Sequence, residues 1–493
     1  MNQMTAPFRK VASVAASAAI MATSLTMFVS PAVAPVALRA AGDCVQEQGS
    51  TTVFPALVKA QPDYQGAVSA SYPTWPSANA LGCTVSLTAN GSGTGKNRLR
   101  LYITTPGAGG TRMDLAASSA PLSSSNDTQD FGGATSNEAA DLYSFQVGGD
   151  AMVMATRDDN TATSISMKEV TEIYMGSITD WSGLANANGQ SGRIDFRARI
   201  QGSGTRDDMN RLFKMDRGCV SSDTVVAVPN SVNCPGGGKT LKSGHTSSTS
   251  PCGQDFTTTE NTNYCEPYVV DHLGLPRLTT SQEEADAICT DQNALVYTSL
   301  ANLQTFGVNN GCGNGHSLKA LPLQACTYTG YDGTPSTLSS ISCSGSPVTP
   351  STTTAAASGN YPAKRVLLLT LPKVSLLAAK YGAGNPGWVD DLGVNKAIAL
   401  INFMESTQGQ TSVTGVGFIG ITVPAKQPIP DADVDMNGGI GLTDIGVITG
   451  RWNQTNTTAG WSRGDIDHNG GIGLSDIGKI TGQWGATGFT GGN

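Results

Sequence analysis

The sequence predicts an α/β body followed by a small helical calcium-binding module, and three observations support this division. Strand-like runs alternate with helical stretches from residue 42 to about residue 212. An acidic, glycine-containing pattern occurs twice near the C-terminus. All ten cysteines lie before residue 350, so the C-terminal module has to be stabilised without disulfides.

Five segments of the body have a recognisable periodicity. Residues 84–88 (TVSLT) alternate between polar and apolar side chains, which predicts a half-buried strand. Residues 150–155 and 366–371 are short apolar runs and predict buried strands, whereas residues 166–174 and 395–404 predict helices. Strands that alternate with helices favour a parallel α/β sheet.

The N-terminal segment and the cysteines predict an exported protein. Residues 1–41 resemble a signal peptide, with a basic start, an apolar stretch and cleavage between residues 34 and 41. An even number of cysteines allows up to five disulfides, and the absence of C-x-x-C argues against zinc or thioredoxin-type redox chemistry. The Cys-rich segments 215–290 and 304–360 are interpreted as disulfide-pinned loop insertions. A net charge of −8 gives no sign of nucleic-acid binding.

Three glycine- and hydroxyl-rich segments have the chemistry of an anion site. They read GSTTVFP over 49–55, GSGTGK over 91–96 and RIQGSGTR over 199–206. Glycine lets backbone N–H groups approach a ligand, hydroxyls donate hydrogen bonds, and Arg199 offers a bidentate fork. Each segment alone is also compatible with a solvated turn.

No catalytic constellation accompanies these segments in the sequence. The second segment is not a Walker A motif, because Asn90 and Asn97 replace the required glycine and hydroxyl residue. A G-x-S-x-G elbow is missing as well. The prediction is therefore a binding site without catalytic residues.

The order of the segments resembles that of the phosphate-binding proteins of bacterial ABC transporters. Further matching stretches are 117–122 (ASSAPL), 173–181 (IYMGSITDW), 294–297 (ALVY) and 403–410 (FMESTQGQ). The resemblance covers roughly residues 43–425, apart from the Cys-rich segments. It implies a two-lobe α/β body of the type II periplasmic-binding-protein fold that closes on a dehydrated oxyanion.

The resemblance also implies which residues bind the anion. The positions that match the family are Ser50, Thr51, Thr52, Val53, Phe54, Ser92, Ser119, Arg199, Ser203, Gly204 and Thr205. Two positions depart from the family. Ser119 replaces an aspartate that accepts the proton of phosphate, which leaves the choice between phosphate and sulfate open. Gln201 stands where an acidic partner of the arginine can occur, so Arg199 is expected to carry more unneutralised charge.

The duplicated C-terminal pattern predicts two calcium loops. The first copy reads DVDMNGGIGLTD over 433–444 and the second DIDHNGGIGLSD over 465–476. Hard oxygen ligands at loop positions 1, 3, 5 and 12, a turn-forming glycine and a backbone carbonyl at position 7 are what calcium requires. The predicted ligands of two ions are Asp433, Asp435, Asn437, Gly439 and Asp444, then Asp465, Asp467, Asn469, Gly471 and Asp476.

Both copies resemble type I dockerin repeats, since each loop precedes a short helical segment that ends at a tryptophan. This implies a helical, EF-hand-like pair that folds on calcium and docks onto a cohesin domain. A calcium-stabilised domain with an intramolecular or surface-anchoring role is the alternative. Leu442 and Leu474 sit at partner-recognition positions and depart from the usual polar residue.

Together these features predict a secreted phosphate-binding body at 42–425, a linker at 426–430, a dockerin-like domain at 431–487 and a tail at 488–493. The expected partners are inorganic phosphate or a related oxyanion, a cohesin-like or surface protein, and an ABC transporter permease. A secreted phosphomonoesterase and a structural protein without ligand remain the alternatives. The expected location is periplasmic, cell-surface or extracellular.

Overall fold

The structure is a computed structural model that describes most of the body and of the C-terminal repeats. The described residues are 45–67, 85–105, 112–122, 138–174, 177–197, 199, 203–213, 226–227, 240–241, 278, 280–305, 312, 315–331, 335–353, 360–381, 389, 392–423, 430–454, 462–467, 469 and 471–486. The predicted signal peptide, the tail and all of the linker except Pro430 lie outside them, as do six of the ten cysteines.

One mixed sheet organises the body. Its strands are β1 (Gln46–Gly49), β2 (Ser86–Ala89), β3 (Leu115–Ser118), β4 (Leu142–Arg157), β6 (Asp195–Arg197), β9 (Ala294–Ser299), β10 (Leu318–Leu321) and β14 (Lys364–Pro372). They follow the order β2-β1-β3-β14-β4-β9-β6, and β10 also pairs with β4. The pairs among β1, β2 and β3 are parallel, whereas β14 is antiparallel to both β3 and β4.

Six short strands among the described residues form three separate two-stranded sheets. They are β5 (Ile165–Ser166), β7 (Val226–Ala227), β8 (Thr240–Leu241), β11 (Leu323–Gln324), β12 (Cys326–Thr327) and β13 (Ser342–Cys343). The predicted strands at 84–88, 150–155 and 366–371 are confirmed by β2, β4 and β14.

Helices cover the sheet and form the C-terminal repeats. They are α1 (Phe54–Ala67), α2 (Ser92–Thr104), α3 (Glu138–Asp141), α4 (Met167–Tyr174), α5 (Gly204–Leu212), α6 (Ser281–Thr290), α7 (Leu300–Leu303), α8 (Val374–Tyr381), α9 (Leu392–Met404), α10 (Thr407–Thr414), α11 (Leu442–Thr449) and α12 (Leu474–Gly482). The predicted helices at 166–174 and 395–404 are confirmed by α4 and α9. Among the described helices, none is both long and apolar enough to cross a bilayer.

Two hydrophobic cores divide the body into two lobes. The first core includes Val147 of β4 and Leu367 of β14, and we call its surroundings the first lobe. The second core includes Ala151 of β4 and Ala363, just before β14, and defines the second lobe. Both strands therefore pass from one core to the other within a few residues. This observation agrees with the predicted two-lobe α/β body. The expectation of a parallel sheet is met only in part, because β14 is antiparallel to β3 and β4, and β4 is antiparallel to β9.

The Cys-rich segments contain more regular structure than the sequence suggested. A disulfide joins Cys289 to Cys312 and another joins Cys326 to Cys343. The end of the first segment is helix α6, which begins at a capping box: the Thr280 hydroxyl accepts the Glu283 N–H (3.2 Å) and the Glu283 carboxylate accepts the Thr280 N–H (3.3 Å). The interpretation of 281–290 as part of a loop insertion is wrong, because this local cap outweighs the weak periodicity.

The C-terminal repeats pack on the first lobe. Their apolar residues Val434 and Met436 belong to the same hydrophobic cluster as the first core. The backbone N–H of Arg463 donates to the carbonyl of Val389 (3.0 Å), and the Tyr143 hydroxyl reaches the carbonyl of Met436 (3.5 Å). The repeats and the first lobe therefore share buried surface.

Glu47 of β1 makes stability depend on pH. Its side chain is buried beside the N–H of Ala117, and burial raises its pKa to about 8. The neutral carboxyl is favoured in the fold, so its stabilising contribution is complete below the unfolded pKa and is lost as the pH rises through about 8.

We predict that Glu47→Gln flattens this dependence. Between pH ~5 and pH ~8, the free energy of unfolding measured with denaturant should fall by on the order of a few kcal/mol more in wild type than in the variant. Asp286→Asn, on the exposed face of α6, serves as a control that keeps the wild-type slope. If the unfolding free energy of Glu47→Gln depends on pH as steeply as that of wild type, the pH dependence does not come from Glu47.

Candidate oxyanion-binding site

The first glycine-hydroxyl segment forms a tight loop between β1 and α1. Gly49 is required there, because a Cβ atom would lie 2.1 Å from the carbonyl oxygen of Ala117. The Ser50 hydroxyl accepts the N–H groups of Thr52 (3.2 Å) and Val53 (3.3 Å). The Phe54 N–H donates to the Ser50 carbonyl (3.0 Å). These bonds stabilise the loop, and ligand donation by the Val53 and Phe54 N–H groups stays a prediction.

The second segment places two serine hydroxyls side by side. Ser92 begins α2, and its hydroxyl accepts the N–H of Ser119 (3.1 Å) and lies 3.5 Å from the Ser119 hydroxyl. Both residues are fully buried. Lys96 of the same segment pairs with Glu138 (2.6 Å).

The third segment brings the second lobe against these hydroxyls. A Cβ atom at Gly204 would lie 2.2 Å from the Ser92 hydroxyl oxygen and 2.5 Å from that of Ser119, so only glycine permits this approach. The hydroxyls of Thr205 and Thr52 are 3.2 Å apart. Ser203, at the N-terminus of α5, has a buried hydroxyl without a hydrogen-bond partner among the described residues. The three predicted segments are thus in mutual contact.

Arg199 joins this cluster with a carboxylate partner that the sequence did not suggest. Its guanidinium donates to Glu284 of α6 (2.6 Å) and to the hydroxyl of Thr51 (3.1 Å). The expectation that Arg199 carries more unneutralised charge is wrong. Glu284 lies 85 residues further along the chain and supplies the acid that position 201 lacks.

A second arginine lies in the same cluster and was missed by the sequence analysis. Arg365 of β14 donates to Asp150 of β4 through Nε (2.8 Å) and Nη2 (2.6 Å). The pair is almost completely buried. Arg365 also donates to the hydroxyls of Thr205 (3.0 Å) and Thr52 (3.4 Å). The available signal was a charge at the start of each apolar strand, at residues 150 and 365.

A pocket of about 580 Å³ adjoins the cluster at Thr51. Phe54 of α1 lines it from the first lobe and Ser281 of α6 from the second. Thr51 is half-buried, whereas the other hydroxyl residues of the cluster, Thr52, Ser92, Ser119, Ser203 and Thr205, are buried. Thr51 therefore links the buried hydroxyls to the cleft between the lobes.

The C-terminal repeats form two equivalent acidic loops. Carboxylate oxygens of Asp433, Asp435 and Asp444 lie within 4.8 Å of one another, and those of Asp465, Asp467 and Asp476 do the same. Asp444 accepts the N–H groups of Val434 (2.7 Å) and Gly441 (2.8 Å), and Asp476 makes the corresponding bonds at 2.6 and 2.8 Å. Gly438, at loop position 6, has φ +90°, which only glycine adopts readily.

The two repeats also form reciprocal backbone hydrogen bonds with each other. Ile440 of the first loop exchanges backbone hydrogen bonds with residues 485–486, which follow α12. Ile472 of the second loop does so with residues 453–454, which follow α11. The sequence repeat is therefore a structural repeat with approximate two-fold pairing.

Comparison with known proteins places the body in a family. A family model described as a PBP superfamily domain matches residues 29–371, well over half of the 493 residues. The chain therefore belongs to the PBP (periplasmic binding protein) superfamily. A search among curated proteins gives no match.

Several solved structures are similar to this chain at low sequence identity. A phosphate ABC transporter substrate-binding protein from Clostridium perfringens, solved with bound phosphate, is 15% identical, with a TM-score of 0.43 over 77% of this chain and 100% of that chain. An ABC-type phosphate transport receptor from Vibrio cholerae is 14% identical, with a TM-score of 0.41 over 76% and 100% of the two chains. PstS from Borrelia burgdorferi is 17% identical, with a TM-score of 0.36 over 77% and 99%.

Proposed function

We propose that this protein is an exported solute-binding protein that reversibly binds inorganic phosphate between its two lobes without chemical change. The observation that carries the proposal is that buried polar residues of the two lobes lie close together. They are Thr52 and Ser92 of the first lobe and Thr205 and Arg199 of the second. Membership of the PBP superfamily supports a binding function.

The donor inventory suits a desolvated oxyanion. An anion taken out of water has to be surrounded by hydrogen-bond donors, because its desolvation is otherwise too costly. The cluster offers hydroxyls from both lobes, the guanidinium of Arg199 and the N-terminal ends of helices α2 and α5, while Arg365 donates to two of the hydroxyls. Arg199 is neutralised by Glu284, so the site attracts an anion mainly through directed donors.

Ser119 leaves both phosphate and sulfate as ligands within this proposal. Hydrogen phosphate carries a proton that needs an acceptor, whereas sulfate at neutral pH does not. The Ser119 hydroxyl can accept or donate, so it tolerates phosphate without excluding sulfate. We therefore place phosphate first and sulfate as its competitor.

Calorimetric titration of the full chain, freed of bound anion, tests the proposal. Phosphate should bind, and Arg199→Ala should weaken binding roughly 100-fold or more, since it removes charge-assisted donors and leaves Glu284 buried without its partner. Arg157→Gln, which breaks an ion pair with Asp159 elsewhere in the second lobe, should bind like wild type.

Circular dichroism must show that each variant is folded. No heat from folded wild type with either anion would contradict the proposal and favour the structural alternative. Turnover of a chromogenic phosphate ester would favour the phosphomonoesterase alternative instead.

We also propose that the C-terminal repeats bind two calcium ions. The two loops offer matching sets of oxygen ligands, completed by the side chains of Asn437 and Asn469 and the carbonyls of Gly439 and Gly471. Three closely spaced carboxylates in each loop repel one another unless a cation neutralises them. Bound calcium would hold the loop ligands together and thereby support the buried surface shared with the first lobe.

Removal of calcium should therefore destabilise more than the repeats themselves. Saturating calcium at about 100 times Kd stabilises a site by about 2.7 kcal/mol, so a chelator should lower Tm measurably. Asp444→Asn combined with Asp476→Asn should remove most of the calcium-dependent Tm shift. Asp159→Asn, in the exposed Asp158-Asp159-His316 group, is the matched control. A Tm independent of calcium in wild type would contradict the proposal.

We place a protein partner on the outer face of the repeats. Leu442 and Leu474 occupy equivalent positions and are 74% and 75% exposed. Such an exposed apolar pair suits docking onto a cohesin-like or cell-surface protein, which would hold the body near an ABC transporter permease. Binding to a purified cohesin domain should depend on calcium and be abolished by Leu442→Asp with Leu474→Asp. If that domain does not bind the calcium-loaded wild type, the alternative of an intramolecular or surface-anchoring role gains support.

A further inference from the structure

The geometry of Arg365 sets the direction of two hydroxyl groups. Its Nη1 donates to the Thr205 hydroxyl and its Nη2 to the Thr52 hydroxyl. A hydroxyl has one proton, and a guanidinium is only a donor. Each threonine oxygen that accepts from Arg365 therefore has its own proton left to donate. The Thr52–Thr205 contact at 3.2 Å uses one of these protons and leaves the other for a ligand.

Arg365 itself is held in one orientation. Nε and Nη2 both bond the same carboxylate oxygen of Asp150, and the two residues are register partners on β14 and β4. Both side chains are excluded from solvent. Buried guanidinium–carboxylate pairs with this geometry are rigid, since breaking them leaves an uncompensated charge. The two threonine hydroxyls are thus oriented by a fixed donor.

The pair also lies where the two cores meet. Asp150 separates Val147 of the first core from Ala151 of the second, and Arg365 lies between Ala363 of the second core and Leu367 of the first. From this position Arg365 contacts Thr52 of one lobe and Thr205 of the other. It donates to hydroxyls of both lobes at once.

We propose that Arg365 is a positioning residue of the oxyanion site: by donating to both hydroxyls it leaves the Thr52–Thr205 pair with one proton to donate to the ligand, and so selects a dianion, which has more unprotonated oxygens than the monoanion. This inference rests on the proposed function, because it concerns the same site. The ligand is then sulfate or the dianion of phosphate, and the monoanion of phosphate is disfavoured.

Several ionisable groups face Arg365 and have to be separated from the ligand's own titration. Asp208 of α5 lies 3.9 Å from Nη1, and burial raises its pKa; Arg211 pairs with its other oxygen. Tyr361 lies near Asp150, and its pKa is raised mainly by burial. Sulfate remains a dianion throughout the working range, so the pH dependence of its affinity reports these protein groups alone.

The first test uses the wild-type full chain and compares phosphate with sulfate between about pH 5.5 and about pH 8. The ratio of phosphate to sulfate affinity should fall about tenfold per pH unit on the acid side of the second ionisation of phosphate, because the dianion fraction falls by that factor. A ratio that stays constant with pH would overturn the inference without any variant.

The second test removes both charges of the ion pair, with Arg365→Gln and Asp150→Asn together. Both affinities should fall at least tenfold, and the pH dependence of their ratio should flatten, since freed hydroxyls can accept the proton of the monoanion. Thr205→Val should cost roughly tenfold in wild type and under about threefold in the pair variant. The double variant Arg112→Gln with Asp114→Asn, another Arg–Asp pair of the first lobe, is the matched control.

The outcomes separate this inference from the proposed function. If folded wild type binds neither anion, the proposed function fails and the inference falls with it. If wild type binds both anions but the pair variant keeps the wild-type pH profile, the phosphate assignment stands and Arg365 is only structural. If the pair variant does not fold, Arg365→Lys takes its place, because it keeps the positive charge but removes the guanidinium fork. It should still flatten the pH dependence of the phosphate-to-sulfate affinity ratio, and an unchanged pH dependence would overturn the inference.

Discussion

The buried ion pair between Arg365 and Asp150 is the constraint on which the rest of the body depends. It lies where β4 and β14 pass from one hydrophobic core to the other, and both residues are excluded from water. Burying two charges is costly unless their geometry is good and their remaining hydrogen-bonding groups are used. The chain meets this demand at the guanidinium, where a threonine from each lobe accepts a hydrogen bond, whereas Asp150 Oδ1 is buried without a hydrogen-bond partner among the described residues. Satisfying one buried cation therefore draws the two lobes together at the point where an anion is proposed to bind.

Close backbone approach then completes the cluster. Gly49 lets β1 run against Ala117, and Gly204 lets the second lobe reach Ser92 and Ser119. Neither contact tolerates a Cβ atom, so small residues are needed where the donors have to converge. Arg199 adds a second guanidinium that is neutralised by Glu284. The result is a site rich in directed donors but nearly balanced in charge, which suits reversible binding of a small oxyanion more than permanent retention.

Local patterns predicted much of this arrangement. The strands at 150–155 and 366–371 and the three glycine-hydroxyl segments could be found because their signals lie within a few neighbouring residues. Glu284 and the pairing of Arg365 with Asp150 could not be predicted, since the partners are 85 and 215 residues apart and meet only through the sheet register. The C-terminal repeat could be found from its spacing, but its packing on the first lobe could not, because the sequence does not indicate which surface an apolar residue contacts.

The most direct test of the central claim, that an oxyanion binds where Arg199 and Arg365 meet the hydroxyls of both lobes, is anomalous diffraction from crystals grown with arsenate. Arsenate has the shape and protonation of phosphate, and its arsenic atom can be located without bias from the protein. We expect one strong arsenic peak enclosed by Ser92, Thr205 and Arg199. A peak elsewhere, or none in crystals of the folded protein at saturating arsenate, would contradict it.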